Sequence, residues 1–116
     1  MKKIVYLSGG IGGAKLAKGF YHSNDIDLTI IINTGDDEVI HGGPLSPDID
    51  SEIYSLAGIE GEMCCGISND TFSVSEEYKK FIPQNFSIGD KDLALNLYRN
   101  QLLSEGKSLT LSLIHI

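Results

Sequence analysis

The chain has 116 residues, 41% of them hydrophobic and 22% charged, which predicts one ordinary globular domain at most. Its formal net charge of −7 disfavours a nucleic-acid partner, because no basic face could balance a phosphate backbone. No apolar run approaches the length that crosses a membrane, and Met1 with its two lysines leads into a short strand rather than a signal sequence, so we expect a cytoplasmic protein.

The first elements are a strand, a run of glycines and a helix. Residues 4–7 form a short apolar run of strand type, residues 9–13 include four glycines, and a helical pattern begins at Ala14. This order directs backbone N–H groups and a helix N-terminus at an anion, usually a phosphate. The stretch is not a P-loop, and it lacks the third glycine of the dinucleotide fingerprint, where Lys15 stands. We interpret it as a phosphate site; the alternative is a turn whose glycines serve backbone geometry alone.

The strongest strand signal follows at residues 28–32, which are continuous and β-branched, as in a parallel strand buried on both faces. With the first strand and helix they predict a right-handed βαβ unit whose ligand lies beyond the carboxyl ends of the strands. Asn33, Asp36 and Asp37 fall at that end. The adjacent carboxylates could coordinate Mg²⁺ or bind hydroxyls of a nucleotide or sugar, or they form a solvated turn.

A loop and a helix come next. Residues 38–45 lack periodicity, so they predict a disordered segment or a working loop. The helix is predicted to begin with Ser46 as its N-cap and Pro47 in its first turn, and to end at Gly58. Its buried stripe is expected to consist of apolar residues, namely Ile53, Leu56 and Ala57.

The same helix carries Asp48, Asp50 and Glu52 near its start. A carboxylate is favoured there by the helix dipole, and capping accounts for one of them. We therefore expect Asp48 or Asp50 to belong to the functional site.

The second half of the chain predicts a loop over residues 61–72, a short helix over 76–82 with an apolar face, and a third short strand over 86–88. The adjacent Cys64 and Cys65 are interpreted as packing residues, because a disulfide between neighbours is strained.

The clearest helix of the chain is predicted to begin near Asp90, its N-cap, and to end at Gly106. Lys91 in the first turn is unfavourable against the helix dipole, which suggests an anion opposite; the alternative is an exposed surface residue. The expected apolar face comprises Leu93, Ala94, Leu97, Tyr98 and Leu102.

Several uncommon segments occur in one order over nearly the whole chain. Together they resemble the 2-phospho-L-lactate transferases, the CofD-like enzymes of deazaflavin coenzyme F(420) biosynthesis. The matching segments are Ser8-Gly-Gly-Ile-Gly-Gly-Ala-Lys-Leu-Ala17, Asn33-Thr-Gly-Asp-Asp37, Ser46-Pro-Asp-Ile-Asp50, Tyr54 with Leu56-Ala-Gly58, Asn69-Asp-Thr-Phe72 and Gly89-Asp-Lys-Asp-Leu-Ala94, continued by Arg99, Leu102-Leu103 and residues 106–110.

The resemblance implies a Rossmann-like α/β fold with a parallel sheet flanked by helices, and a Mg²⁺-dependent transfer. A 2-phospho-L-lactyl or phosphoenolpyruvyl group, activated as a guanosine diphosphate, would pass to the ribityl hydroxyl of a deazaflavin (7,8-didemethyl-8-hydroxy-5-deazariboflavin) with release of GMP. Which acid and which nucleotide form the donor stays open.

Residue roles follow from the resemblance as well. Asp50 would be the catalytic residue, and it would contact the acceptor together with Lys91 and Asp48. Asp36 and Asp37 would lie near the metal. The phosphates and nucleotide would be bound by Gly10, Gly12, Gly13, Lys15, Asn33 and Asp36.

Two departures from the family pattern concern the acceptor. Lys91 stands where the family usually has arginine, so a planar bidentate donor becomes a point charge. The family often has a tryptophan near Cys64 and Cys65, and this sequence has none, so stacking on the deazaflavin ring is expected to differ. From the sequence, Asp50→Asn is expected to abolish transfer and leave folding intact.

Family members are well over twice as long, so residues 1–110 are expected to be the N-terminal part of a single transferase domain. Residues 111–116 resemble a translated sequencing-library adaptor and are interpreted as a non-native tail. Such a fragment is expected to expose a strand edge and apolar helix faces, to fold poorly and to be inactive alone. A homodimer is one option for the full-length form.

Two rival functions fit parts of the sequence. A non-catalytic nucleotide-sugar-binding regulator of the related gluconeogenesis-factor type shares the fold and a glycine-rich start, but residues 33–37, 46–50 and 89–92 argue against it. A dinucleotide-dependent oxidoreductase is disfavoured by the missing third glycine.

Overall fold

The computed structural model describes residues 1–62, 65–84, 86–114 and 116. Cys64 lies outside the described residues, whereas Cys65 is exposed and so is not the packing residue that the sequence predicts. In chain order the described elements are β1 (Lys2–Ser8), α1 (Gly10–Tyr21), β2 (Ile26–Ile32), β3 (Glu38–Ile40), β4 (Gly43–Leu45), α2 (Pro47–Ala57), α3 (Ser73–Tyr78), α4 (Asp90–Ser104) and α5 (Leu109–Leu113).

The predicted βαβ unit is formed by β1, α1 and β2. The two strands pair in parallel over their whole length, from Lys2 opposite Ile26 to Ser8 opposite Ile32. Their carboxyl ends therefore meet at one edge of the sheet, where the Asn33 amide donates to the Ser8 carbonyl at 2.9 Å. The α/β class, with a parallel sheet flanked by helices, is confirmed. Polar residues from both strand ends are thus placed side by side.

One face of this sheet is covered and the other is exposed. Side chains alternate between the two faces of a strand, and α1 and α2 pack against one of them. On the opposite face Val5, Leu7 and Ile31 are 67%, 76% and 54% exposed. The prediction that the second strand is buried on both faces is therefore wrong for the described residues, because helices lie on only one of its sides.

The glycine run belongs to α1 rather than to a loop in front of it. The helix begins at Gly10, four residues before the predicted start, and Gly9 is its N-cap. The buried side of α1 carries small residues. Ala14 and Ala17 are fully buried, and the Ser55 hydroxyl donates to the Ala14 carbonyl at 3.1 Å. Small residues thus allow α1 to lie against both the sheet and α2.

The segment predicted to be an irregular loop contains a β-hairpin. β3 and β4 pair antiparallel, with Glu38 opposite Leu45. The turn consists of His41 and Gly42, whose φ angles of 52° and 77° are those of a tight hairpin turn. The usual sequence of such a turn is Asn-Gly or Asp-Gly, so the hairpin could not be recognised from a turn that begins with histidine.

α2 has the predicted ends, but its buried face is not the predicted one. The helix runs from Pro47 to Ala57, and Gly58 follows with a left-handed φ of 72°. Ala57 is exposed, and Ile53 and Leu56 are only half-buried. The helix instead buries a largely polar set of side chains: Asp48, Asp50, Glu52, Tyr54 and Ser55.

The starts of α3 and α4 are each capped by a remote carboxylate: Asp90, in the first turn of α4, caps α3, and Asp70, which precedes α3, caps α4. The Asp90 carboxylate accepts from the Ser73 and Val74 amides at 3.1 and 3.0 Å, so α3 begins at Ser73. The helix ends at Tyr78, whereas the sequence predicts a helix over residues 76–82. Asp70 accepts from the Lys91 amide at 2.8 Å and thereby caps α4. Asp90 is therefore not the N-cap of α4, a position that Gly89 occupies.

Two further predictions for the second half are wrong. Residues 86–88 form no strand; the Ile88 carbonyl accepts from the Ser75 hydroxyl at 2.7 Å, and the Ile88 amide donates to the same oxygen at 3.2 Å. The predicted apolar face of α4 is only partly buried: Leu102 is buried, but Leu97 and Tyr98 are exposed. The helix ends near Gly106 as predicted.

The last described helix, α5, ends at Leu113 and so includes the first residues of the segment 111–116. That this segment is a non-native tail stays a prediction. Its N-cap Ser108 accepts from the Leu111 amide at 3.2 Å. None of the described helices is long and apolar enough to cross a membrane.

Candidate functional site

The carboxyl edge of the sheet brings two of the predicted site residues into contact. The Asn33 side-chain amide donates to the Asp48 carboxylate at 2.9 Å. Both groups flank Gly9, where an added Cβ would lie 3.7 Å from an Asp48 oxygen and from the Asn33 Cβ. The end of β2, the start of α1 and the start of α2 therefore form one continuous polar surface.

The glycines beside this surface fall into two kinds. A Cβ on Gly10 or Gly12 would meet no atom within 4 Å, and Gly10 has a φ of +65°. A Cβ on Gly13 would lie 2.2 Å from the Ser8 hydroxyl and 3.0 Å from the Tyr6 hydroxyl. Gly10 and Gly12 thus leave room for a bound group, whereas Gly13 is required where α1 packs on β1.

The two carboxylates after β2 lie near the start of α2. Asp36 and Asp37 are exposed, and the Asp37 carboxylate accepts from the Ser46 hydroxyl at 3.1 Å. Ser46 is the N-cap residue by position, but its side chain makes no capping hydrogen bond. In the part of the chain that the structure describes, no three His, Cys, Asp or Glu side chains gather as a metal site. A cation at Asp36 and Asp37 would therefore need further oxygen ligands, such as phosphates and water.

α2 presents polar side chains to both of its neighbours. Asp48, Glu52 and Ser55 follow helical spacing and face β1, β2 and α1, as their hydrogen bonds show. Asp50 and Tyr54, four residues apart, face α4 through bonds to Arg99 and Asp92. The expectation that one of the first acids is more than a cap agrees with this burial, since Asp48 and Asp50 are only 8% and 3% exposed.

Glu52 lies directly beneath the glycines. One oxygen of its carboxyl group accepts from the Ser8 hydroxyl at 2.7 Å, and the other has no partner among the described residues although Glu52 is 1% exposed. Burial raises the pKa of the Glu52 carboxyl, the nearby charge of Asp48 adds to this, and the Ser8 hydrogen bond opposes it. The fold therefore favours the protonated form of Glu52.

Replacing Glu52 by glutamine should make the protein more stable at neutral pH. A carboxyl whose pKa is raised on folding contributes its full stability below the unfolded pKa, and this contribution is lost as the pH rises through the folded pKa. Glutamine keeps the shape without ionising, so we expect the variant to gain about 1 kcal/mol at pH 7 over wild type. The gain should vanish near pH 4. Urea unfolding at both pH values measures it.

The control for this prediction is Glu77→Gln, which alters a carboxylate that is largely exposed and paired with Lys80. Its pH dependence should match that of wild type. Burial also raises the pKa values of Asp50 and Asp92, so Glu52→Gln should reduce the pH dependence and not abolish it. An unchanged pH profile in Glu52→Gln would contradict a raised pKa of the Glu52 carboxyl.

Asp50, the predicted catalytic residue, is held by the only arginine of the sequence. Both of its oxygens accept from the Arg99 guanidinium, one at 3.2 Å and the other in a shorter contact. Burial raises the pKa of the Asp50 carboxyl, and Arg99 opposes this effect. Burial also disfavours the Arg99 cation, but the hydrogen bond and charge of Asp50 outweigh it and the pKa of Arg99 is raised.

Two of the predicted basic residues are exposed. Lys15 is exposed on α1. The Lys91 ammonium donates to the Ser68 carbonyl at 3.2 Å, and no hydrogen bond or ion pair of the described residues joins it to Asp50. The residue after Lys91, however, is Asp92, which accepts from the Tyr54 hydroxyl at 2.7 Å. The first turn of α4 is therefore connected to α2 beside Asp50.

Sequence reasoning missed the partners of the acids. Ser8, Glu52 and Arg99 were not recognised as site residues, although each is buried and bonded to the site. One signal was available for α4: Asp92, Asn96 and Arg99 recur at the spacing of one helical face. The partner of Ser8 is 44 residues away in the sequence, so no local pattern could have indicated it.

Comparison with known proteins gives one family. Residues 4–115 match the family described as 2-phospho-L-lactate transferase CofD. Over 112 residues the chain is 39% identical to a protein named phosphoenolpyruvate transferase from Streptomyces avermitilis, covering 93% of this chain and 35% of that protein.

Proteins from methanogens match equally well. The chain is 38% identical over 110 residues to the 2-phospho-L-lactate transferase of Methanospirillum hungatei, covering 92% of this chain and 37% of that protein. It is 42% identical over 108 residues to the protein of the same name from Methanococcus maripaludis, covering 90% and 35%. The chain thus spans about a third of the length of these relatives. Since the family match covers nearly all of it, the chain belongs to the CofD family of 2-phospho-L-lactate transferases.

Proposed function

We propose that the complete transferase carrying this chain moves a 2-phospho-L-lactyl or phosphoenolpyruvyl group from a guanosine diphosphate-activated donor to the ribityl hydroxyl of a deazaflavin, as a step of coenzyme F(420) biosynthesis. The observation that carries this proposal is the position of α2. On one side of α2, Asp48 lies beside Gly9, the N-cap of α1, and on the other side Tyr54 donates to Asp92 in the first turn of α4. One helix would thereby border both substrates.

The donor would lie at the carboxyl edge of the sheet. Gly10 and Gly12 let phosphate oxygens approach the backbone at the start of α1, which carries a partial positive charge. Lys15 adds an exposed cation on the same helix, and Asn33 is fixed by its bond to Asp48. These groups suit a diphosphate, whose charge an acidic protein must offset locally.

We infer a Mg²⁺ ion as the further counter-charge. Asp36 and Asp37 are exposed carboxylates next to this region, and one or two carboxylates plus substrate phosphates are how proteins usually hold Mg²⁺. When bound, the ion would neutralise charge on the diphosphate. The described residues alone supply too few ligands, so its binding should require the donor.

The acceptor would lie against the other side of α2. Each oxygen of a carboxylate can accept more than one hydrogen bond, so the hydroxyl would bind at the small exposed part of Asp50, 3% of the residue, while the pair with Arg99 persists. The hydroxyl oxygen would form a new bond to the phosphorus that bears the acid, the anhydride bond to GMP would break with its electron pair on the departing GMP phosphate, and the hydroxyl proton would be released to solvent. Positioning and charge stabilisation provide most of the catalysis in such a transfer, which is what a fixed carboxylate and Lys91 would contribute.

The direct test is to incubate the complete transferase carrying this chain with the deazaflavin, Mg²⁺ and each of the two activated donors. Mass spectrometry should detect the phosphodiester product together with an equal amount of GMP. Omission of the donor or chelation of Mg²⁺ should remove both. If a nucleotide sugar binds tightly and no donor yields product, the chain serves a regulator instead and the proposal is wrong.

A further inference from the structure

Arg99, the only arginine of the sequence, is buried. Arg99 is 1% exposed, and its guanidinium donates to both oxygens of Asp50. Its Nε atom has no partner among the described residues. A buried ion pair is seldom more stable than a well-packed apolar pair of the same volume, because both ions lose their hydration. Stability therefore does not explain why a charged pair stands here.

The pair is part of a closed set of bonds between α2 and α4, which we call the Arg99 circuit: Asp50, Arg99, Asn96, Asp92 and Tyr54. Arg99 donates to the side-chain oxygen Oδ1 of Asn96 at 3.2 Å, and the side-chain nitrogen Nδ2 of Asn96 donates to the Asp92 carboxylate at 3.1 Å. The Tyr54 hydroxyl donates to the same Asp92 oxygen at 2.7 Å and returns the circuit to α2.

The Arg99 circuit fixes the orientation of the Asp50 carboxylate relative to the first turn of α4. Two N–H groups of a planar guanidinium hold the plane of the Asp50 carboxylate, which a single hydrogen bond would leave free to rotate. Asp92 belongs to the first turn of α4, next to Lys91. The same bonds that orient Asp50 thus hold it relative to the first turn of α4.

We propose that Arg99 is a positioning residue: through the Arg99 circuit it holds Asp50 and the first turn of α4 in the arrangement that receives the hydroxyl-bearing acceptor. This inference rests on the proposed function. It assigns Arg99 no contact with the acceptor or with the reacting atoms. A misplacement of about 1 Å at a reacting group can lower a rate about 100-fold, so orientation alone can carry a large effect.

The test is Arg99→Lys in the complete transferase carrying this chain, which keeps the positive charge and removes the planar fork. We expect kcat to fall about 10- to 100-fold and the KM for the deazaflavin to rise, while the KM for the activated donor stays within about twofold. Rates are expressed per folded molecule, with the folded fraction taken from urea unfolding. Lys80→Met, which breaks an exposed ion pair, is the control and should leave all three parameters unchanged.

A purely structural role predicts a different outcome. In that case Arg99→Lys lowers stability but the folded molecules keep wild-type kcat and KM values, and the inference is overturned. Tyr54→Phe guards against misfolding of Arg99→Lys, since it leaves Asp50 and Arg99 in place and removes only the hydroxyl that joins α2 to Asp92; it should fold and still raise the KM for the deazaflavin. If the wild-type enzyme forms no product, the proposed function fails and this inference fails with it, whereas an active wild type beside a normal Arg99→Lys overturns only the inference.

Discussion

Asp50→Asn is expected to lower the transfer rate of the complete enzyme by about 100-fold or more and to destabilise the protein at the same time. The loss of activity follows from losing the carboxylate that we place against the acceptor hydroxyl. The loss of stability follows from Arg99, which would be left as an unpaired buried cation at a cost of about 3–5 kcal/mol. Initial rates and urea unfolding measure the two effects. The sequence alone had led us to expect intact folding, and the buried ion pair changes that expectation.

The two effects can be separated with a second substitution. Asp50→Asn/Arg99→Met removes both charges, so most of the lost stability should return, whereas transfer should stay low. Glu60→Gln is a suitable control, because Glu60 pairs with Lys18 away from α4. A singly substituted Asp50→Asn enzyme with the stability and activity of wild type would refute both the ion pair and the site.

Gly13→Ala should be the most damaging of the glycine substitutions in α1. The added methyl group would lie 2.2 Å from the Ser8 hydroxyl, which is itself held by Glu52 in the interior. Relief requires Ser8 to break this hydrogen bond or α1 to move off the sheet, so we expect a loss of about 2–3 kcal/mol. Urea unfolding of the variant measures it.

Gly19→Ala is the matched control, because it makes the same change in the same helix where an added Cβ meets no atom within 4 Å. It should raise stability by about 0.5–1 kcal/mol, as alanine does in an exposed helix interior. Equal effects of the two substitutions would show that α1 does not pack on Ser8 as described.

The local features of the site were predictable from sequence. The strand–glycine–helix order, the start and end of α2 and the polar residues after β2 each depend on residues close together in the chain. That Asp48 or Asp50 belongs to the site stays a prediction; it was drawn from the excess of acids over what capping needs in the first turn of α2.

The buried face of α2 was not predictable in the same way. Amphipathic patterning assumes that apolar residues face inward, and it placed Ile53 there. An acidic residue can replace an apolar one in the interior only if partners reach it, and those of Asp50 and Glu52 are Arg99 and Ser8. Such partners lie 49 and 44 residues away, beyond the range of any local pattern.

Other errors have the same origin. The helix predicted over residues 76–82 begins earlier because Asp90 caps α3 from a distance. The third strand was predicted over Phe86-Ser87-Ile88, but Ser75 already satisfies the backbone of Ile88. In both places a side chain from a remote segment makes hydrogen bonds to backbone groups, and a prediction from local propensity cannot include such bonds.

The central claim is that Asp50 and the start of α4 form the acceptor site, and an equilibrium titration tests it most directly. Deazaflavin is titrated into the complete transferase carrying this chain, in wild-type and Asp50→Asn/Arg99→Met forms, and binding is followed by the fluorescence of the ligand. We predict saturable binding to wild type and at least about a tenfold weaker affinity for the double variant, provided that urea unfolding shows it folded. Equal affinity in the two proteins would contradict the account.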